Sequence, residues 1–90
     1  MYDYMTDITI TRRDYEILLG IYDSNKITPT ELSKKIKIEQ TVISRNIQKF
    51  YDAGMLNYDV KKNNRTMKWY YLTDDGKTFL VGLKRIFEEY

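Results

Sequence analysis

Ninety residues, 42% hydrophobic and 31% charged with a net charge of +2, suit one folded domain over 1–90 and are too few for two. The chain has neither cysteine nor histidine, which excludes disulfides, thiolate chemistry and the commonest metal ligand and acid/base group. Ser24, Ser33 and Ser44 have no histidine to activate them, and no S-x-x-K spacing or glycine-rich phosphate loop occurs, so no enzyme, metal site or cofactor is expected.

The chain opens with MYDYMTD, which is acidic and lacks the basic and apolar regions of a signal peptide; a cytoplasmic location is expected. Thr6 to Ile10 alternates polar and apolar residues as an extended lead-in. Thr11-Arg12-Arg13-Asp14 is a capping box with Asp in the place of Glu or Gln, and it starts a helix whose predicted buried stripe is Tyr15, Leu18, Leu19 and Tyr22. Ile17 to Tyr22 is the longest apolar run, six residues containing Gly20, far short of a membrane span. Asp23 to Lys26 reads as a turn.

Thr28-Pro29-Thr30-Glu31 carries the clearest local signal: threonine caps, proline suits the first helical position and glutamate reaches back from the third. Leu32 and Ile36 then face inward, Lys34 and Lys35 outward, and Lys37-Ile38-Glu39 turns the chain into a third helix over about 40–53. Gly54 fits the left-handed position just past its end. Val42, Ile43, Ile47 and Phe50 share one face of that helix. Gln40, Thr41, Ser44, Arg45, Gln48 and Lys49 are left facing outward, an amide, hydroxyl and cationic set of the kind that bonds to base edges and phosphates.

Leu56, Tyr58 and Val60 alternate with polar neighbours, as do Tyr70 and Leu72, so two antiparallel strands are expected to join at Lys62 to Thr66. Trp69 and Tyr71 then point away from the core, beneath Tyr2 and Tyr4. Thr73-Asp74-Asp75 caps a last helix over 74–90. Its apolar residues Phe79, Leu80, Leu83, Ile86, Phe87 and Tyr90 are spread too widely for one small domain to cover, which points to pairing of two copies. The whole is an α+β, mostly α, winged helix-turn-helix: a three-helix core, a two-stranded wing and a C-terminal helix.

Charge follows the same division. Residues 1–25 carry two basic and five acidic side chains, whereas 26–49 carry six basic and two acidic. Residues 50–60 are acidic again, and 61–68 add four cations, Lys61, Lys62, Arg65 and Lys68. Two basic islands separated by an acidic gap suit a partner whose phosphates are touched twice.

Several segments resemble the multiple antibiotic resistance regulator (MarR) type. Its helix-turn-helix follows E-L-A-x-x-L-x-[IV]-x-x-[ST]-x-[VI]-[ST]-R and then G-[LM]-[IVL]; this chain has ELSKKIKIEQTVISR and then GML. Its wing carries a D-R pair with L-T-x-x-G seven residues after the arginine; here Asn64-Arg65 is followed at that interval by Leu72-Thr73-Asp74-Asp75-Gly76. The similarity covers residues 28–77, is shared in part by PadR and ArsR regulators, and suits a small archaeal or viral regulator. Lys37 stands where relatives often have glycine, Glu39 where a serine often caps, Asn46 where an apolar residue is usual, and the long amino-terminal helix of typical relatives is missing.

The expected function is that of a sequence-selective double-stranded DNA-binding transcriptional regulator acting as a homodimer, with no membrane partner. The third helix enters the major groove, where Gln40 or Gln48 pairs with adenine, Thr41 meets a thymine methyl and Arg45 takes guanine or a phosphate. Lys34 and Lys35 hold the backbone. The resemblance implies that Arg65, beside Asn64, reaches the minor groove, with Lys62, Asn63 and Lys68 on flanking phosphates. Two other classes compete: a protein-interaction winged-helix module, and a non-selective DNA-binding chromatin or replication protein. Neither operator nor effector is written in these residues.

Overall fold

The computed structural model describes residues 10–61 and 64–88, with the side chains of 61 and 64–66 outside the description. Its elements are α1 (Arg12–Ser24), α2 (Pro29–Ile36), α3 (Gln40–Asp52), β1 (Leu56–Lys61), β2 (Asn64–Leu72) and α4 (Asp74–Glu88). No helix among the described residues is long and apolar enough to cross a membrane.

The first helix begins as its sequence dictates. Thr11 accepts a hydrogen bond from the Asp14 amide (3.3 Å), and Asp14 Oδ2 accepts one from the Thr11 amide (3.0 Å), a complete capping box. Its buried face is Tyr15, Ile17, Leu18 and Ile21, which differs from the predicted stripe: Leu19 is half-buried and Tyr22 is 50% exposed. Close packing on α2 sets this phase. A methyl group at Gly20 would stand 2.9 Å from Leu32 Cδ1 and 3.3 Å from Ile36 Cγ2, so the Gly20 edge lies against α2 and turns Tyr22 outward.

Thr28 caps α2 by accepting from the Glu31 amide (3.2 Å), with Pro29 in the first turn. The following turn is taken by Lys37 in left-handed backbone, φ 58° and ψ 46°, a conformation that costs a non-glycine residue roughly 1–2 kcal/mol. Ser33 offsets part of it. Its hydroxyl donates to the Ile38 carbonyl (2.5 Å) while its own carbonyl accepts from the Ile38 amide (3.3 Å), so α2 is tied to the strained turn twice.

The two strands pair antiparallel, with Leu56 opposite Leu72 and Tyr58 opposite Tyr70, and the register shifts between Val60 and Lys61. The connection is shorter than the expected Lys62 to Thr66, because β2 already begins at Asn64. Val60 keeps the inward phase but lies beyond the edge of the core and is exposed. One pairing lies outside the hairpin: Ile27, between α1 and α2, exchanges two backbone hydrogen bonds with Tyr70 (3.0 and 2.9 Å). The hairpin is thereby fastened to the helix-turn-helix. Ile17, Leu18, Ile21, Leu32, Ile43, Ile47, Phe50, Leu56, Leu72, Leu80 and Leu83 meet in a single core.

Thr73 explains the L-T-x-x-G spacing. Its hydroxyl accepts from the Gly76 amide (3.1 Å), capping α4, and donates to the Gly54 carbonyl (2.7 Å), while its own amide donates to the Met55 carbonyl (3.0 Å). Gly76 sits so close to that carbonyl that a methyl group would lie 2.1 Å from the Met55 oxygen. Gly54 has the positive φ, 81°, that ends α3 and starts the return.

The far end of α4 closes on the start of α1. Arg12 donates to the Phe87 carbonyl (2.9 Å) and lies over the Phe87 ring, and that ring stacks on Tyr15 at 5.5 Å. The Tyr15 hydroxyl donates to the Glu88 carboxylate. Burial, and then the Glu88 hydrogen bond, push the Tyr15 phenol up to about 12.

The apolar residues of α4 divide differently from the expected pairing set. Leu80 and Leu83 lie in the domain's own core, because α1 and the hairpin cover that side of the helix. Phe79 and Phe87 are half-buried, Ile86 is 57% exposed, and Val81, absent from the expected set, is exposed to the same extent. Tyr90 lies outside the described residues.

Two outcomes follow for stability. Gly76→Ala should lose roughly 2–3 kcal/mol by driving a methyl group into the Met55 carbonyl, seen as a lower urea midpoint at unchanged slope. Because folding raises the Tyr15 pKa, its contribution is complete below the unfolded value near pH 10 and is lost as pH climbs towards about 12. The stability advantage of the wild type over Tyr15→Phe should therefore shrink across pH 10 to 12; a constant difference in parallel denaturant titrations would exclude this coupling.

Candidate nucleic-acid interface

The third helix is gripped on one side and open on the other. Ile43, Ile47 and Phe50 are buried and Val42 is half-buried, whereas Gln40, Thr41, Ser44, Arg45 and Gln48 are all exposed along the opposite face. That separation is a consequence of the 3.6-residue period, and it presents five polar side chains on a rigid rod. Two are steadied by neighbours: the Thr41 hydroxyl donates to Glu39 (3.3 Å), and the Gln48 amide donates to Asp52 (2.9 Å). Ser44 and Arg45 lie between them. Asn46 is half-buried and donates to the Val42 carbonyl one turn back (3.1 Å), which satisfies an amide where an apolar residue would otherwise pack.

Glu39 occupies the N-cap of α3 without making a side-chain cap bond. Its carboxylate accepts instead from Thr41, at the helix end where negative charge is favoured.

Lys49 departs from the outward set. It is half-buried, its ammonium is 3.1 Å from Asp14 Oδ2, and it lies 5.0 Å over the Phe50 ring. The spacing puts it at the edge of the polar face, and the buried Asp14 draws the long side chain across to α1. Asp14 thus serves both the α1 cap and the α1–α3 tie. On α2, Lys34 and Lys35 are exposed as expected, and Lys35 donates to the Ser24 hydroxyl (2.6 Å) at the end of α1.

In the wing, Lys68 is exposed, with its ammonium 4.9 Å above the Tyr58 ring. Asn64 and Arg65 lie on β2, but their side chains are outside the description, as are Lys62 and Asn63 altogether. A row of aromatics joins α3 to this hairpin. Tyr51, 39% exposed, stands 5.6 Å from Tyr58, which stands 5.4 Å from Tyr70. The sequence carries a signal for it: Tyr51 falls three residues after Gln48 and seven after Ser44, on the wing side of the polar face.

The opposite face of the hairpin is different in character. Trp69 and Tyr71 point away from the core, half-buried, and border an open cleft of about 1010 Å³ with Tyr22, Asp23, Lys26 and Asp59. Lys26 bonds to the Asp59 carboxylate and lies 5.4 Å over the Tyr71 ring. Tyr2 and Tyr4, expected above these rings, lie outside the described residues.

Residues 14–90 match the family model of the winged helix DNA-binding domain. The chain is 29% identical over 79 residues to an uncharacterized HTH-type transcriptional regulator, YybA, of Bacillus subtilis, covering 88% of this chain and 53% of that protein. It is 30% identical over 59 residues to Transcription factor E of Methanococcus vannielii, covering 66% and 33%. The chain therefore spans about half or less of these relatives. Among solved structures, a mutant MarR from E. coli complexed with operator DNA superposes with a TM-score of 0.78 at 20% identity, over 96% of this chain and 61% of that one. FabT of Streptococcus pneumoniae in complex with DNA gives 0.74 at 18% identity, over 93% and 57%. These likenesses establish the MarR-type winged-helix fold.

The Asp14 tie makes Lys49 separable from true phosphate contacts. Lys49→Met should cost about 1–2 kcal/mol of stability, since the buried carboxylate loses its cation, a value kept low by the partial exposure of the lysine. Duplex affinity measured at several salt concentrations should keep an unchanged slope; a slope lower by about 0.9 would return Lys49 to the phosphate-binding set.

Proposed function

The chain belongs to the winged helix DNA-binding domain family, and on that premise we propose that it is a sequence-selective double-stranded DNA-binding transcriptional regulator, working in the cytoplasm as a homodimer. One observation carries the reading: five side chains of base- and phosphate-bonding type stand exposed on one face of α3, while its apolar face is fixed in the core. The DNA-bound MarR and FabT neighbours and the regulator relatives support it.

In this reading α3 lies in the major groove, with Gln40 or Gln48 bidentate to adenine, Thr41 against a thymine methyl, and Ser44 and Arg45 on base or phosphate. Lys34 and Lys35 hold the sugar–phosphate backbone. Arg65 enters the minor groove, favouring a narrow A·T-rich stretch, flanked by Lys62, Asn63, Asn64 and Lys68. Lys49 acts indirectly, by holding α3 to α1. Pairing uses the uncovered flanks of α4, with Ile86 beside the half-buried Phe79 on one flank and Val81 exposed on the other. A two-fold dimer of this kind calls for a pseudo-palindrome with half-site centres about 34 Å apart or a multiple of it.

Selection from a random duplex library tests all of this together. The winning site should be palindromic and bound about a thousandfold more tightly than its scramble. Arg45→Ala should lose roughly 1–3 kcal/mol and relax preference at one position. A Val81→Asp, Ile86→Asp variant should sediment as a folded monomer. Equal, steeply salt-dependent binding to both duplexes would replace the regulator by an architectural protein. No binding at low salt would overturn DNA binding and favour a protein-docking module.

A further inference from the structure

The row formed by Tyr51, Tyr58 and Lys68 lies between the two elements assigned to DNA. A helix in the major groove and a hairpin in the neighbouring minor groove straddle the one sugar–phosphate strand that divides the grooves. Side chains in the saddle between helix and hairpin therefore face that strand. Tyr51 is on the wing side of α3, and Tyr58 is on the β1 face that turns towards it, their rings 5.6 Å apart. Lys68, across the ladder on β2, holds its ammonium 4.9 Å from the Tyr58 ring.

The geometry points to a phosphate subsite here: the Tyr51 and Tyr58 hydroxyls and the Lys68 ammonium take one backbone phosphate of the strand between the grooves. Phenol hydroxyls and lysine are among the groups that contact DNA phosphates. The rings are pre-set by packing, so little side-chain freedom is lost on binding. Burial, and then the Tyr58 and Tyr51 phenols, raise the Tyr70 pKa, consistent with three phenols gathered at one place. The nearby carboxylates are otherwise engaged: Asp52 accepts from Gln48, and Asp59 is on the other face of the hairpin, bonded to Lys26. The subsite carries no base information, so it adds affinity and register without sequence preference. It rests on the DNA-binding reading above.

The test uses Tyr51→Phe, Tyr58→Phe and Lys68→Gln; the first two keep both rings and so preserve the packing. Each phenylalanine variant should bind the selected duplex and its scramble more weakly by the same factor, about tenfold, with the salt slope unchanged. Lys68→Gln should lower that slope by about 0.9. A methylphosphonate scan of the selected duplex should find one phosphate whose neutralisation weakens the wild type far more than it weakens the Tyr51→Phe, Tyr58→Phe, Lys68→Gln triple variant. If the wild type and Arg45→Ala behave as a DNA-binding pair while both phenylalanine variants match the wild type, the subsite is refuted alone. If the wild type binds no duplex, the reading beneath it fails first and takes the subsite with it.

Discussion

Where the third helix ends, the hairpin closes and the fourth helix starts, the backbone passes through one point, and Gly76 makes that point possible. Its α-carbon lies where any side chain would strike the Met55 carbonyl. Thr73, three residues earlier, bonds to the Gly54 carbonyl, the Gly76 amide and the Met55 carbonyl. A hydroxyl and the absence of a methyl group thus fix α3, the base of the wing and α4 relative to one another. The base of the wing is thereby fixed against the end of α3 and the start of α4.

A second constraint orients the same helix from the other side. Asp14 completes the cap of α1 and binds Lys49, so α1 and α3 share a single buried carboxylate. Burying a carboxylate is expensive unless it is paired and hydrogen-bonded, and here both conditions are met. The turn between α2 and α3 moves the other way: Lys37 adopts a left-handed backbone that glycine would take more cheaply, and Ser33 binds both polar groups of Ile38 beside it.

Features written within three or four residues were legible in the sequence. Thr11, Thr28 and Thr73 cap helices as their spacings demand, Gly54 takes the left-handed exit, and the inner and outer faces of α3 separate by helical period. What was not legible depends on partners far along the chain. Nothing local to Lys49 announces Asp14, thirty-five positions away, nor does Ile27 announce Tyr70. The phase of α1 was set by the approach of α2 at Gly20, which moved Tyr22 to the surface. On α4 the apolar count was evident, but which residues face inward is decided by α1 and the hairpin lying across it.

The contact between Arg12 and Phe87 joins residues 75 positions apart, whereas the helix-turn-helix is built from neighbours. In kinetic terms the two differ sharply, because a long loop must be closed before such a contact returns any free energy. The α2–turn–α3 unit is built from short-range encounters, while the meeting of the outermost helices spans nearly the whole described chain. The seam between the first and last helices therefore carries a larger loop-closure entropy than any contact within the helix-turn-helix, and its buried Tyr15, Leu80 and Leu83 offset it.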